Sequence, residues 1–216
     1  KYFNIDFLGD DAVEENTIHI DSVAMLVVTT FYMTADKSYG KDILKESLRS
    51  EMDEYFEALF DGKKVLGLLI RGTDYYTTGQ MGDRIMAGVS DMIPMIDQWL
   101  EADNYDNIFL ASEDADICEK MFEKYGGRLR MLSQERHRVS DFKDVTLISE
   151  LEKKEKTGKE YDDSLEDTTI NYFYALYILS RCNAFMCSGQ CNGYDMVCAF
   201  NGGKFERLYK FCVAAK

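Results

Sequence analysis

Residues Val65-Leu66-Gly67-Leu68-Leu69-Ile70, followed at once by Arg71-Gly72-Thr73-Asp74-Tyr75, constrain the fold more than any other stretch of the chain. Five of the first six are aliphatic, the pattern of a strand buried on both faces of a parallel sheet. In open α/β sheets ligands bind beyond the carboxyl ends of the strands, and it is there that this run turns polar. A permanently charged guanidinium in that position needs an anionic partner, and its planar fork matches phosphate or carboxylate. Gly72 removes a side chain where a ligand would approach the backbone. A nucleotide phosphate is the ligand class that fits.

The rest of the composition narrows the setting. With 216 residues, 46% hydrophobic and 13% aromatic, the chain holds one large domain, or one domain and part of another, and is not disordered. A formal charge of −14 excludes nucleic acid or an anionic membrane as the main partner. No apolar stretch approaches the ~20 residues of a membrane-spanning helix and no signal peptide is visible, so a cytoplasmic protein that does not span a membrane is expected. Cys182, Cys187, Cys191 and Cys198 do not have the CxxC spacing of a zinc site. With only His19 and His137 to supplement them, the six cysteines read as buried, reduced thiols and no metal site is expected.

Residues 1–41 lack helix–strand alternation and read as the tail of a preceding domain or a connecting segment. From residue 42 to 216 the pattern is regular. Leu44, Leu48, Met52, Tyr55, Phe56 and Leu59 mark an amphipathic helix ending before Gly62. The strand Val65–Ile70 is followed by a loop of about twenty residues, a length that in compact domains usually marks a functional or mobile segment. A helix from Ser90 or Asp91 to Ala102 has Pro94 in its first turn, and a strand at Ile108–Ala111 leads to a helix capped by Ser112 and ending at Tyr125. A third strand is placed at Leu129–Leu132, a short helix at 146–154, and a long helix at Leu165–Cys182. A strand at Ala184–Cys187, a helix through Phe200 and a last strand at Phe205–Phe211 complete the order. This alternation predicts an α/β fold, a doubly wound parallel Rossmann-like sheet with helices on both faces. Right-handed crossovers then bring Arg71–Asp74, Ser112–Asp114 and Ser188–Asn192 to one edge.

Each strand end admits two readings. Arg71 pairs with a diphosphate or forms an interior salt bridge. Asp74 holds that arginine or acts on a substrate hydroxyl; an acid in the following loop, such as Asp83, is the other candidate base. The turn Ser188-Gly189-Gln190-Cys191-Asn192-Gly193 offers backbone N–H groups and a helix N-terminus to an anion, or is an ordinary strand-to-helix turn. Glu113 and Asp114 contact a ribose or cap a helix. Arg136, His137 and Arg138 supply a second charge to the site or form a solvated loop. Phosphate-loop, dinucleotide and nucleophile-elbow signatures are absent.

Three ordered blocks within residues 63–200 resemble the fucosyltransferase superfamily that includes α1,6-, α1,2- and protein O-fucosyltransferases. They are Leu69-Ile70-Arg71-Gly72-Thr73-Asp74, Leu110-Ala111-Ser112-Glu113-Asp114, and Leu179-Ser180-Arg181-Cys182-Asn183 with Ser188-Gly189-Gln190-Cys191-Asn192. Leu69 stands where many members have a base-contacting histidine, Gly72 where some have a second arginine, and Ala175 roughly where an acidic residue is common. The resemblance implies a GT-B-like donor domain of an inverting, metal-independent enzyme, with no cofactor beyond a GDP-sugar donor and with a glycan as acceptor. It gives a catalytic role to Arg71, on the β-phosphate of the leaving nucleotide; Asp74, from its place three residues on, is the other catalytic candidate. Gly72, Thr73, Ser112, Glu113, Asp114, Ser188, Gly189, Cys191, Asn192 and Gly193 would line the donor.

Overall fold

The computed structural model describes residues 44–73, 86–142, 148, 151, 155, 156 and 158–212; in the helix that begins at Lys159, the side chains of 159–167 and 169 are not described. The expected N-terminal segment 1–41, the loop with Asp74 and Asp83, and most of the expected helix at 146–154 lie outside these residues.

Strand β1 (Val65–Leu69) is buried along its whole length. It sits at the centre of a five-stranded, all-parallel sheet with β2 (Asn107–Ala111), β3 (Leu129–Arg130), β4 (Ala184–Cys187) and β5 (Arg207–Lys210), in the order β3-β2-β1-β4-β5. Helix α1 (Glu46–Phe60) precedes β1. It is followed by α2 (Val89–Ala102), α3 (Ala115–Tyr125), α4 (Lys159–Arg181) and α5 (Asn192–Asn201). The strand order reverses between β1 and β4, the topological switch point at which such sheets bind ligands.

Side-chain alternation divides the core into two layers. Val65, Leu69, Phe109, Phe185 and Cys187 meet Leu48, Met52 and Phe56 of α1, Leu176 and Leu179 of α4, and Met196 and Val197 of α5. Leu66, Leu68, Ile70, Ile108 and Met186 face the other way, against Met92, Ile96 and Trp99 of α2 and Ile117 and Met121 of α3. The doubly wound α/β sheet expected from the sequence is therefore present. In α1, Leu48, Met52, Phe56 and Phe60 recur every four residues on one buried stripe, each contributing about 1.5–3 kcal/mol by leaving water. The helix stops where Asp61 turns left-handed (φ 50°) and Gly62 follows it (φ 68°).

Gly67 has a packing reason. A Cβ there would come within 3.0 Å of Leu179 Cδ2 and 3.1 Å of Cys182 Sγ, so its absence lets α4 lie close over the central strand.

Several boundaries differ from the sequence expectation. Helix α2 begins at Val89, with Asp91 Oδ2 accepting the Gly88 N–H at 3.1 Å, so Pro94 falls in its second turn. The helix bond lost there is that of the carbonyl of Ser90, an exposed residue that water can serve. Helix α3 is capped by Asp114 rather than Ser112: Asp114 Oδ1 accepts the Ile117 N–H at 3.0 Å. The third strand shrinks to Leu129–Arg130 and the last to Arg207–Lys210.

Candidate functional site

The strand register assembles the site. Leu69 pairs with Ala111 on one side and Cys187 on the other, and Cys187 pairs with Lys210, so four strands end in one row. The ladder continues one step further, through Ile70 N–H to Ala111 O (3.1 Å) and Ser188 N–H to Leu69 O (2.9 Å). Arg71, Glu113 and Ser188 consequently emerge beside one another at the carboxyl edge.

Backbone and side chains then lock these segments together. Arg71 N–H donates to Ser188 Oγ at 3.1 Å, Gly72 N–H to Glu113 Oε1 at 2.8 Å, and Thr73 N–H to Asp114 Oδ2 at 3.0 Å. Three consecutive amides of the β1 end are thus held by the ends of β4 and β2. Arg71 Nη1 lies 3.5 Å from Glu113 Oε2, an ion pair looser than a charge-assisted hydrogen bond, between side chains that are 16% and 13% exposed. The carboxylate facing Arg71 among the described residues is Glu113; the holding role considered for Asp74 falls outside them.

Other predicted site residues have defined structural tasks. Asp114 is buried, with one oxygen on the α3 N-terminus and the other on Thr73. Ser112 is also buried, its Oγ accepting the Asp114 N–H at 3.2 Å. Gly72 faces Asp114: a Cβ would fall 2.3 Å from Asp114 Oδ2 and 2.5 Å from its Cβ, so a carboxylate occupies the space expected for a ligand. Gly193 leaves room for Tyr172 and Leu69, to which a Cβ would come within 2.8 and 3.1 Å. Thr73 is sealed from solvent, and its hydroxyl has no hydrogen-bond partner among the described residues. Leu69 is 2% exposed and belongs to the core layer beneath α4 and α5.

The turn after β4 is built as an entry to α5, with Cys191 at the N-cap and Asn192 and Gly193 in the first turn. Ser188 is fully buried; its carbonyl accepts the Ala87 N–H at 2.7 Å and its hydroxyl faces Met86 Sδ at 3.7 Å, so Met86 and Ala87 pack against this turn. Gly189 O takes the S–H of Cys187 at 3.1 Å. Burial pushes the Cys187 thiol well above its ordinary range. The Cys191 thiol is instead lowered, first by the neighbouring Cys187 thiol and then by the positive charge of Arg71.

Two features escaped the sequence reading. Lys210, at the end of β5, donates to Gln190 Oε1 and lies 4.7 Å from the Tyr194 ring centroid, while Gln190 Nε2 donates to Asp195 at 2.9 Å. The backbone of His137 runs parallel to that of Asp114, with His137 N–H on Glu113 O (3.0 Å) and Ala115 N–H on His137 O (2.9 Å). Arg136 and Arg138 turn elsewhere. Arg136 holds its own loop through Leu132 O and Gln134 O, and Arg138 pairs with Asp116 and Glu119 of α3. Among the described residues no group of three or more His, Cys, Asp or Glu side chains is arranged to hold a metal ion, and no helix is long and apolar enough to cross a membrane.

No protein-family model and no curated protein sequence matches the chain. Among solved structures it is similar to NodZ fucosyltransferase from Bradyrhizobium, with 12% identity and a TM-score of 0.48 over 78% of this chain and 45% of that one. It is also similar to NodZ alpha-1,6-fucosyltransferase soaked with GDP-fucose (12% identity, TM-score 0.46, 78% and 45% covered) and to POFUT1 in complex with GDP (8%, 0.49, 79% and 49%). The chain therefore spans about half the length of the solved structures it matches.

Proposed function

We propose that this chain is the donor-binding half of an inverting glycosyltransferase of fucosyltransferase type, acting without a metal in the cytoplasm. It would take a GDP-sugar and pass the sugar to a glycan such as a surface polysaccharide. One observation carries the reading: Arg71, braced by Glu113 and by Ser188, stands at the switch point of the sheet beside the N-terminus of α5. A cation and a helix N-terminus at one sheet edge suit a diphosphate. The three ordered motifs noted in the sequence supply the choice of GDP-fucose.

In this reading the diphosphate sits against the Ser188–Gly193 turn with one oxygen on Arg71. As the bond from the anomeric carbon to the β-phosphate breaks, negative charge grows on the leaving nucleotide and Arg71 offsets it where it develops. Glu113, 3.5 Å from the guanidinium, keeps a countercharge on its other side through the step. Asp74 or Asp83 takes the proton of the acceptor hydroxyl that attacks from the opposite face. The burial of Leu69 favours a second reading, a different nucleotide sugar, because a side chain enclosed in the core cannot read a base.

Calorimetric titration with GDP, GDP-fucose and UDP tests both. Saturable GDP binding that is preferred over UDP and unaffected by EDTA supports the first reading. Preference for UDP supports the second, and failure to bind any of the three overturns the donor site.

A further inference from the structure

The turn between β4 and α5 is held from both sides. Cys187, from which it springs, pairs with Leu69 of β1 and with Lys210 of β5. On the β1 side Ser188 N–H donates to Leu69 O at 2.9 Å, and Ser188 Oγ accepts the Arg71 N–H at 3.1 Å. On the β5 side Phe211 N–H donates to Cys187 O at 3.0 Å, and the Lys210 ammonium donates to Gln190 Oε1. Neighbouring strands lie about 4.8 Å apart, so β1 and β5 stand roughly 10 Å apart with this turn between them. Each brings one cation to it, Arg71 and Lys210.

The setting of Lys210 distinguishes it from the neighbouring cations. Residues paired across parallel strands point to the same face. Leu69 and Cys187 belong to the layer beneath α4 and α5, and Lys210 projects to that side too, its Nζ 4.7 Å from the ring centroid of Tyr194 in the first turn of α5. Arg71 faces Glu113 and Arg207 pairs with Asp103. Lys210 is half-buried, yet among the described residues it forms no ion pair; a neutral amide and an aromatic face hold it instead. Gln190 Nε2 donates to Asp195 Oδ2 at 2.9 Å, which turns the amide oxygen towards Lys210. That oxygen takes one of the three N–H donors of the ammonium. Positive charge without a carboxylate, with donors to spare, at the N-terminal turn of a helix suits an anion.

We propose that Lys210 is a second cation of the donor site. With Arg71 on the β-phosphate, Lys210 binds the α-phosphate from the other side of the Ser188–Gly193 turn while keeping its bond to Gln190. This inference rests on the donor reading above. It adds a residue that lies outside all three sequence motifs and reaches the turn from the edge strand.

The test titrates GDP, and GMP in competition with it, against the wild-type chain, Lys210→Gln and Lys210→Arg, each shown to be folded by urea unfolding. GMP keeps the α-phosphate and lacks the β-phosphate. Lys210→Gln retains an N–H donor for Gln190 and removes the charge, whereas Lys210→Arg retains the charge. The expected result for Lys210→Gln is a loss of about tenfold in affinity for GDP and for GMP alike, shrinking as NaCl is raised. Lys210→Arg should stay within about threefold of the wild type. A role confined to bracing the turn predicts the reverse, with affinity kept in Lys210→Gln, and that result overturns the proposal. So does an equal loss in Lys210→Gln and Lys210→Arg. A loss for GDP with GMP unchanged overturns the assignment to the α-phosphate. A wild-type chain that binds no nucleotide overturns the donor reading itself, whereas wild-type binding matched by Lys210→Gln overturns the second cation alone.

Discussion

Glu113 serves Arg71 and Gly72 at once: its Oε1 accepts the Gly72 N–H at 2.8 Å while its Oε2 lies 3.5 Å from Arg71 Nη1. One carboxylate thereby holds the backbone at the end of β1 and faces the guanidinium that this backbone presents. The two tasks separate by mutation. Glu113→Gln keeps an acceptor for Gly72 and removes the charge, so the fold should persist with GDP affinity changed by about tenfold or less. Glu113→Ala removes both and should cost about 1–3 kcal/mol in urea unfolding, through the orphaned amide.

Asp114 carries more of the local structure than its neighbours suggest. Asp114→Ala uncaps α3 and strips the Thr73 N–H of its acceptor, with an expected loss of about 2–4 kcal/mol in chemical denaturation. Ser112→Ala, which removes one side-chain acceptor from the Asp114 N–H, should cost about 1 kcal/mol. An equal effect of the two substitutions would contradict the assigned cap.

Gly72 gives a steric prediction. The position lacks a positive φ, so backbone strain is not the reason for glycine. A methyl group would nonetheless sit 2.3 Å from Asp114 Oδ2, and Gly72→Ala should destabilise by about 1–3 kcal/mol through overpacking. In the double variant Gly72→Ala/Asp114→Gly all the Asp114 side-chain atoms that the new methyl meets are gone, so the cost should fall below the sum of the single ones.

Alkaline pH should unfold the chain cooperatively. Tyr105 and Tyr177 are both raised from 10 to about 12, burial being the main cause, with Asp103 next for Tyr105 and Asp53 for Tyr177. Such groups ionise earlier in the unfolded chain, so their stabilisation is full below pH 10 and is lost as pH rises through about 12. Urea midpoints measured from pH 9 to 12 should fall across that window, and Tyr105→Phe should flatten the fall. A midpoint independent of pH over this range would contradict the burial of these phenols.

The sequence made β1, β2 and β4 legible because each is an apolar run closed by small polar residues, a local signal that needs no partner. It also placed the three strand ends on one edge, which follows from parallel connections alone. What it missed is non-local. Asp114 displaces Ser112 as the cap because the His137 backbone pairs alongside it and extends the chain past β2. Gly72 looked like a gap for a ligand because the side chain that fills it arrives from another strand. Lys210 reaches Gln190 across twenty residues. None of these contacts leaves a periodic trace.

The central claim is that Arg71 and the turn before α5 receive a nucleotide diphosphate. Its most direct test is calorimetric titration of GDP into the wild-type chain and into Arg71→Ala, with urea unfolding confirming that the variant is folded. Saturable binding to the wild type is expected, with a loss of about 10–100-fold in the variant, the worth of one charge-assisted contact of about 1.5–3 kcal/mol. Equal affinity in the two folded proteins, or no binding to the wild type, would contradict it.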